Sequence, residues 1–118
     1  MNCLGPDGGA AGAASREPAP SRLVLVDRRL PRITDAQLAL LHDALLGAAG
    51  RYNARGEDVR YVRSIYIARQ ERVLSLFDAR SPELVREVNE AALVPFTSID
   101  IGVELADLAR ARHGSEPA

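Results

Sequence analysis

The sequence predicts an α+β fold ordered β-α-β-β-α-β, with a four-stranded antiparallel sheet and two helices on one face. Three observations carry this reading. Short runs rich in β-branched residues and leucine alternate with two segments of helical apolar spacing. Both helical segments open on capping signals. Two of the strand-like runs, within residues 59 to 79, are joined by three or four residues, enough for a hairpin.

The first strand is "RLVLVDRRL", which begins at Arg22 and is stopped by Pro31. The first helix follows in "TDAQLALLHDALLGAAGRYNARG". Thr34 is placed to cap it, and Gln37 lies at the spacing of a capping box. Leu38, Leu41, Leu45 and Ala48 recur at helical intervals, widened by Leu46, so one stripe faces a core. Gly47 and Gly50 weaken the last turns and "NARG" ends them.

Strands two and three lie in "VRYVRSIYIARQERVLSLFDA", with "RQE" as the connection. Strict alternation puts Val59, Tyr61, Arg63, Ile65 and Ile67 on one face of strand two and Arg60, Val62, Ser64 and Tyr66 on the other. Ser81 as cap and Pro82 at the first helical position start the second helix. Its apolar side is Leu84, Val85, Val88 and Ala92, its wet side Glu83, Arg86, Glu87 and Glu90, and Pro95 stops it. The fourth strand, "TSIDIGVEL", alternates Ile99, Ile101 and Val103 against Asp100, Gly102 and Glu104, the pattern of an edge strand with one wet side. The closing "ADLARARHGSEPA" adds a helical turn before it frays.

This order is the split βαβ or ferredoxin-like arrangement. Its helices cover one sheet face, while the central strands carry apolar side chains on the other. Such a face marks an interface or a ligand pocket, so the expectation is a homodimer joined through the open sheet face.

Around this domain, placed at residues 21–106, the ends differ in composition. Residues 1–20, rich in Gly, Ala and Pro with no apolar period, read as a disordered arm, and residues 107–118 as a tail. At 118 residues the chain fits one domain. All 15 basic residues are arginine, which with many Ala, Gly and Pro points to GC-rich coding rather than function. A net charge of -1 gives no general attraction for nucleic acid or an anionic membrane surface. No apolar run approaches the roughly 20 residues of a membrane span, and the start lacks a secretory pattern. Cys3, the single cysteine, has no internal partner, which fits a reducing compartment. The expected location is cytoplasmic.

The run from Tyr61 and Ser64 through Phe77, "A-x-S-P-E-x-V" and "A-x-x-P-F-x-x-I" resembles a family of small bacterial ferredoxin-like proteins described as nickel-responsive or nickel-binding-like, over about residues 22 to 105. The resemblance implies a metal, held in the metal-binding branch by histidines in strand one and along helix two. Here strand one offers Asp27, Arg28 and Arg29, helix two offers Asn89, and His42 and His113 have no pairing spacing. No metal ligand and no cofactor is therefore assigned.

The residues proposed to bind a ligand are Ser64, Tyr66, Asp27, Arg28 and Arg63. A Tyr hydroxyl beside a Ser orients a polar group of a mostly apolar ligand, and Asp27 or Arg28 meets it from the end of strand one. The competing structural readings are that Tyr66 packs at the dimer interface, Arg63 extends to water, and Asp27 or Arg28 pairs with Arg60, Arg72 or Asp78. His42, at the margin of the helical stripe, reads as a structural histidine. No nucleophile elbow, phosphate loop or dinucleotide fingerprint is present. Two functions follow as expectations: a dimer whose open sheet face holds a small molecule, with a metal ion as the lesser alternative, or a cofactor-free isomerase, cyclase or monooxygenase-like enzyme acting on an apolar metabolite in the same pocket.

Overall fold

A computed structural model describes residues 22–115; the N-terminal arm and Cys3 lie outside the described residues. The elements run β1 (Leu23–Arg29), α1 (Asp35–Ala54), β2 (Val59–Ile67), a 3-10 turn (Ala68–Gln70), β3 (Arg72–Ala79), α2 (Pro82–Ala91), β4 (Ser98–Gly102) and α3 (Leu105–Ser115). The fold is α+β: one four-stranded sheet, ordered β2-β3-β1-β4, in which every pairing is antiparallel. A third helix joins the two expected. It extends through 11 residues where the sequence suggests a single turn.

Local signals set the helix starts. The Thr34 hydroxyl accepts from the Gln37 amide while the Gln37 side chain accepts from the Thr34 amide, completing the capping box. Ser81 accepts from Leu84 N–H, and Pro82 opens α2. Both helices pack on one sheet face. Leu41, Leu45, Ala48 and Ala49 of α1 and Leu84, Val85 and Val88 of α2 meet Val24, Val26, Val59, Tyr61, Phe77 and Ala79 in a single core. Leu46, expected to widen the α1 stripe, is instead 53% exposed.

Strand β2 departs from strict alternation. The ladder with β3 pairs Tyr61 with Phe77 and then Arg63 with Leu76, so Val62 is the extra residue of a β-bulge. Beyond it the two faces exchange. Val59, Tyr61, Ser64 and Tyr66 pair with Ala79, Phe77, Ser75 and Val73 on the helix-covered side. Arg60, Arg63, Ile65 and Ile67 pair with Asp78, Leu76, Leu74 and Arg72 on the open side. The alternation expected from sequence is therefore corrected: Tyr61 and Ile65 lie on opposite faces.

The open face carries a band of aliphatic side chains: Leu23 and Leu25 of β1, Leu74 and Leu76 of β3, and Ile65 and Ile67 of β2. Those of β1 and β3 are half-buried, and Ile65 is 49% exposed. Leu25 leans over Gly102 of β4, where an added Cβ would stand 3.2 Å from Leu25 Cδ1. Charges flank the band. Arg72 grips Asp27 through two bonds of 2.9 Å, and Asp78 meets Arg60 at 3.4 Å and Arg22 at 3.7 Å.

Candidate functional site

Under the helices, the sheet holds a cation where the pattern of β1 would place a third valine. Arg28 follows Val24 and Val26 inward and is 1% exposed. Its Nη1 donates to the Pro95 carbonyl at 3.1 Å and its Nη2 to Ser75 Oγ at 2.9 Å, whereas Nε has no partner. Among the described residues no carboxylate pairs with it. The neighbouring Asp27 points to the open face and is held by Arg72, whose hydrogen bonds keep its carboxyl below the usual range. Removed from water without a counter-charge, the Arg28 guanidinium has its pKa pushed down to about 10.

From Arg28 a row of hydroxyls crosses the interior. Ser75 Oγ lies 2.7 Å from Ser64 Oγ, Ser64 Oγ 2.6 Å from the Tyr61 hydroxyl, and that hydroxyl 3.0 Å from His42 Nδ1. An arginine only donates, and each hydroxyl has one proton to give. With His42 in the opposite tautomer the three hydroxyl contacts reverse; the arrangement in which Ser75 also donates runs Arg28 to Ser75, Ser75 to Ser64, Ser64 to Tyr61, Tyr61 to His42. It makes Nδ1 of His42 an acceptor and leaves that ring's proton on Nε2. The bulge makes this row possible, because it turns Ser64 inward beside Tyr61. His42 itself is exposed, so the row joins a buried cation to an imidazole at the surface. Burial raises the Tyr61 pKa, keeping the phenol protonated and able to donate. The Tyr61 ring packs 5.3 Å from both His42 and Phe77.

The five residues expected to share one pocket are divided by the sheet. Arg28 and Ser64 belong to the buried row, and Tyr66 lies on the same side at the far end of β2, 38% exposed. Asp27 is on the open face in its pair with Arg72, and Arg63 is exposed there. Tyr61, which the sequence reading used for the family resemblance but not as a binding residue, and Ser75, which it did not use, complete the row; only the pairing of β2 with β3 brings them together.

A groove of about 530 Å³ lies between α1, the segment Leu30–Ile33 that follows β1, and the turn that follows α2. Its walls are Leu30, Ile33, Leu40, Leu41, Ala44 and Val94, closed by Leu93 and Pro95. Pro95 is also the residue whose carbonyl receives Arg28. Among the described residues no group of three or more His, Cys, Asp or Glu side chains could hold a metal ion. His42 Nδ1 is occupied by Tyr61, and a buried arginine in strand one repels a cation, so the described residues do not fit a nickel site. No described helix is long and apolar enough to cross a membrane.

No curated protein matches the chain. Among solved structures it is similar to SCO4226 from Streptomyces coelicolor A3(2), at 23% identity over 66% of this chain and 91% of that one, with a TM-score of 0.57. At that identity the likeness shows the fold. The family model described as "Nickel responsive protein SCO4226-like" matches residues 25–101, well over half of the sequence and all of the sheet except its outermost residues. The chain belongs to the SCO4226-like family of nickel-responsive proteins.

Proposed function

We propose that this protein is a small-molecule-binding protein of ferredoxin-like architecture that works as a homodimer joined through its open sheet face. The strand order β2-β3-β1-β4 supports the architecture, with the first and third strands central and α3 added after the last. The observation that carries the dimer is the aliphatic band of Leu23, Leu25, Leu74, Leu76, Ile65 and Ile67. It lies on the sheet face that α1 and α2 leave uncovered, where Arg63 is exposed and Arg72 with Asp27, and Asp78 with Arg60 and Arg22, form ion pairs. A second copy laid against this band removes it from water without stranding those charges.

Native mass spectrometry of untagged protein at micromolar concentration tests the assembly and reports any retained ligand by its mass. The expected result is a dimer that Leu74→Arg converts to monomer. A monomeric parent chain would overturn the dimer. The family description raises nickel, but the described donors do not fit it, and the binding reading invokes no metal.

One observation favours the second reading, a cofactor-free enzyme acting on an apolar metabolite. The hydroxyl row connects the interior to an exposed imidazole, as a proton path would. Tyr61→Phe breaks that row with little change of shape. An enzyme would then lose turnover of any metabolite found by screening, whereas a binder would keep its affinity.

A further inference from the structure

We propose that two copies of the chain meet open face to open face about a two-fold axis running along the strands, so that Arg63 of each copy pairs with Asp100 of the other. The inference rests on the dimer reading above and gives that dimer an orientation and its ionic contacts.

The ladders of the sheet place four open-face residues in one row. Arg63 of β2 pairs with Leu76 of β3, Leu76 with Leu25 of β1, and Leu25 with Asp100 of β4. The row therefore carries a cation at one edge of the sheet, two leucines in the middle and a carboxylate at the other edge. Arg63 and Asp100 are both exposed, and neither has an ionic partner among the described residues. They cannot reach one another within the chain, because three strand spacings, about 14 Å, separate them. Asp27 and Asp78, by contrast, are held by arginines on their own face. Arg29, also exposed, stands past the last paired residue of β4 and outside this row.

Symmetry turns the row into a choice of orientation. A two-fold axis parallel to the strands, passing midway between β3 and β1, carries every residue to the same level on the opposing sheet. It sets β2 over β4 and β3 over β1 of the second copy, with each contact made twice. Leu76 then lies against Leu25 of the second copy, and Arg63 above its Asp100. An axis across the strands would instead stack β2 on β2 and β4 on β4. The open side of β2 presents Arg60, Arg63, Ile65 and Ile67, with no acid, and that of β4 presents Ser98, Asp100 and Gly102, with no base. That second arrangement would bring like charges together at both edges, which disfavours it. Sheets packed face to face stand about 10 Å apart, a gap that an arginine and an aspartate span together at the rim. The leucines supply a dry centre and the two ion pairs a polar border.

The test uses the full chain and reads the dimer Kd by sedimentation equilibrium. Arg63→Asp and Asp100→Arg should each raise Kd about tenfold or more, since each replaces two ion pairs with two like-charge contacts. The chain carrying both reversals should return to about the parent value. Both positions are exposed, so circular dichroism melts of all three variants should match the parent. Orientation is read by cross-linking in a Cys3→Ser background. A chain carrying Arg63→Cys is mixed with one carrying Asp100→Cys and treated with a bis-maleimide of about 10 Å span, the separation of the two sheets. It should join position 63 to position 100, whereas like positions, about 17 Å apart, should remain unjoined. A parent dimer unmoved by either reversal, a double reversal no tighter than the single ones, or cross-links mainly between like positions would overturn the proposal and leave the open-face dimer standing. A monomeric parent, or a dimer that survives Leu74→Arg, would overturn the dimer reading itself and this orientation with it.

Discussion

Replacing Arg28 with methionine asks whether the buried guanidinium is there for stability. Burial pushes its pKa down to about 10, more than two units below the ordinary arginine value. At about 1.4 kcal/mol per pH unit, the folded state carries about 3 kcal/mol of desolvation for keeping this side chain charged. The sign follows from proton counting. The folded pKa is the lower one, so between the two values the unfolded chain holds more protons and stability rises with pH. Near neutrality the residue is charged in both states, and the full penalty stands.

Against it are two hydrogen bonds worth about 1 kcal/mol each in net terms. Ser75 would keep its bond to Ser64, and Pro95, an exposed residue, can pass its carbonyl to water. Methionine fills most of the volume. The balance predicts that Arg28→Met stabilises the protein by about 1 kcal/mol, equivalent to a Tm rise of about 4–8 °C for a domain of this size. The chain has no tryptophan, so far-UV circular dichroism during urea titration is the appropriate assay. A loss of about 2 kcal/mol or more would refute the reasoning, because the guanidinium would then be stabilising the core rather than being tolerated by it.

Other perturbations probe separate parts of the structure. Deleting Val62 should remove the bulge yet leave Tyr61 and Ser64 inward and Arg63 outward. The protein should therefore fold, whereas deleting Ser64 should turn Ile65 inward and abolish cooperative melting; circular dichroism melts separate the two. Thr34→Ala removes the hydroxyl half of the capping box, leaves the backbone amide at 34 bonded to Gln37, and should lower stability by about 1 kcal/mol in urea titration. Asp27, whose pKa the Arg72 hydrogen bonds lower, contributes stability that is present above the unfolded carboxyl value and lost as pH falls through the folded one. The urea midpoint should drop across that acidic window in the parent chain and drop less in Asp27→Asn.

Thr34 with Gln37 and Ser81 with Pro82 act within one turn of chain, so the sequence alone determined where α1 and α2 begin. Hydrophobic spacing likewise located four strands and indicated that β4 is an edge, because burial follows period and the period is written in the chain. The face of each β2 residue was not legible. Alternation holds until one residue is left unpaired, and which residue that is depends on the partner strand; the pairing of Arg63 with Leu76 sets Val62 aside and turns Ser64 and Tyr66 toward the helices.

Arg28 shows the same limit more sharply. A run reading Asp27, Arg28, Arg29 looks like a strand ending in solvent. In the fold Asp27 meets Arg72 on one face and Arg28 meets Ser75 and Pro95 on the other. Those partners lie 45, 47 and 67 residues away. Local propensity determined the elements because their energies arise between neighbours in sequence. Only the tertiary structure decided the buried row from Arg28 to His42 and the groove beside Pro95, because each contact joins side chains that approach only when the sheet and both helices close on one another.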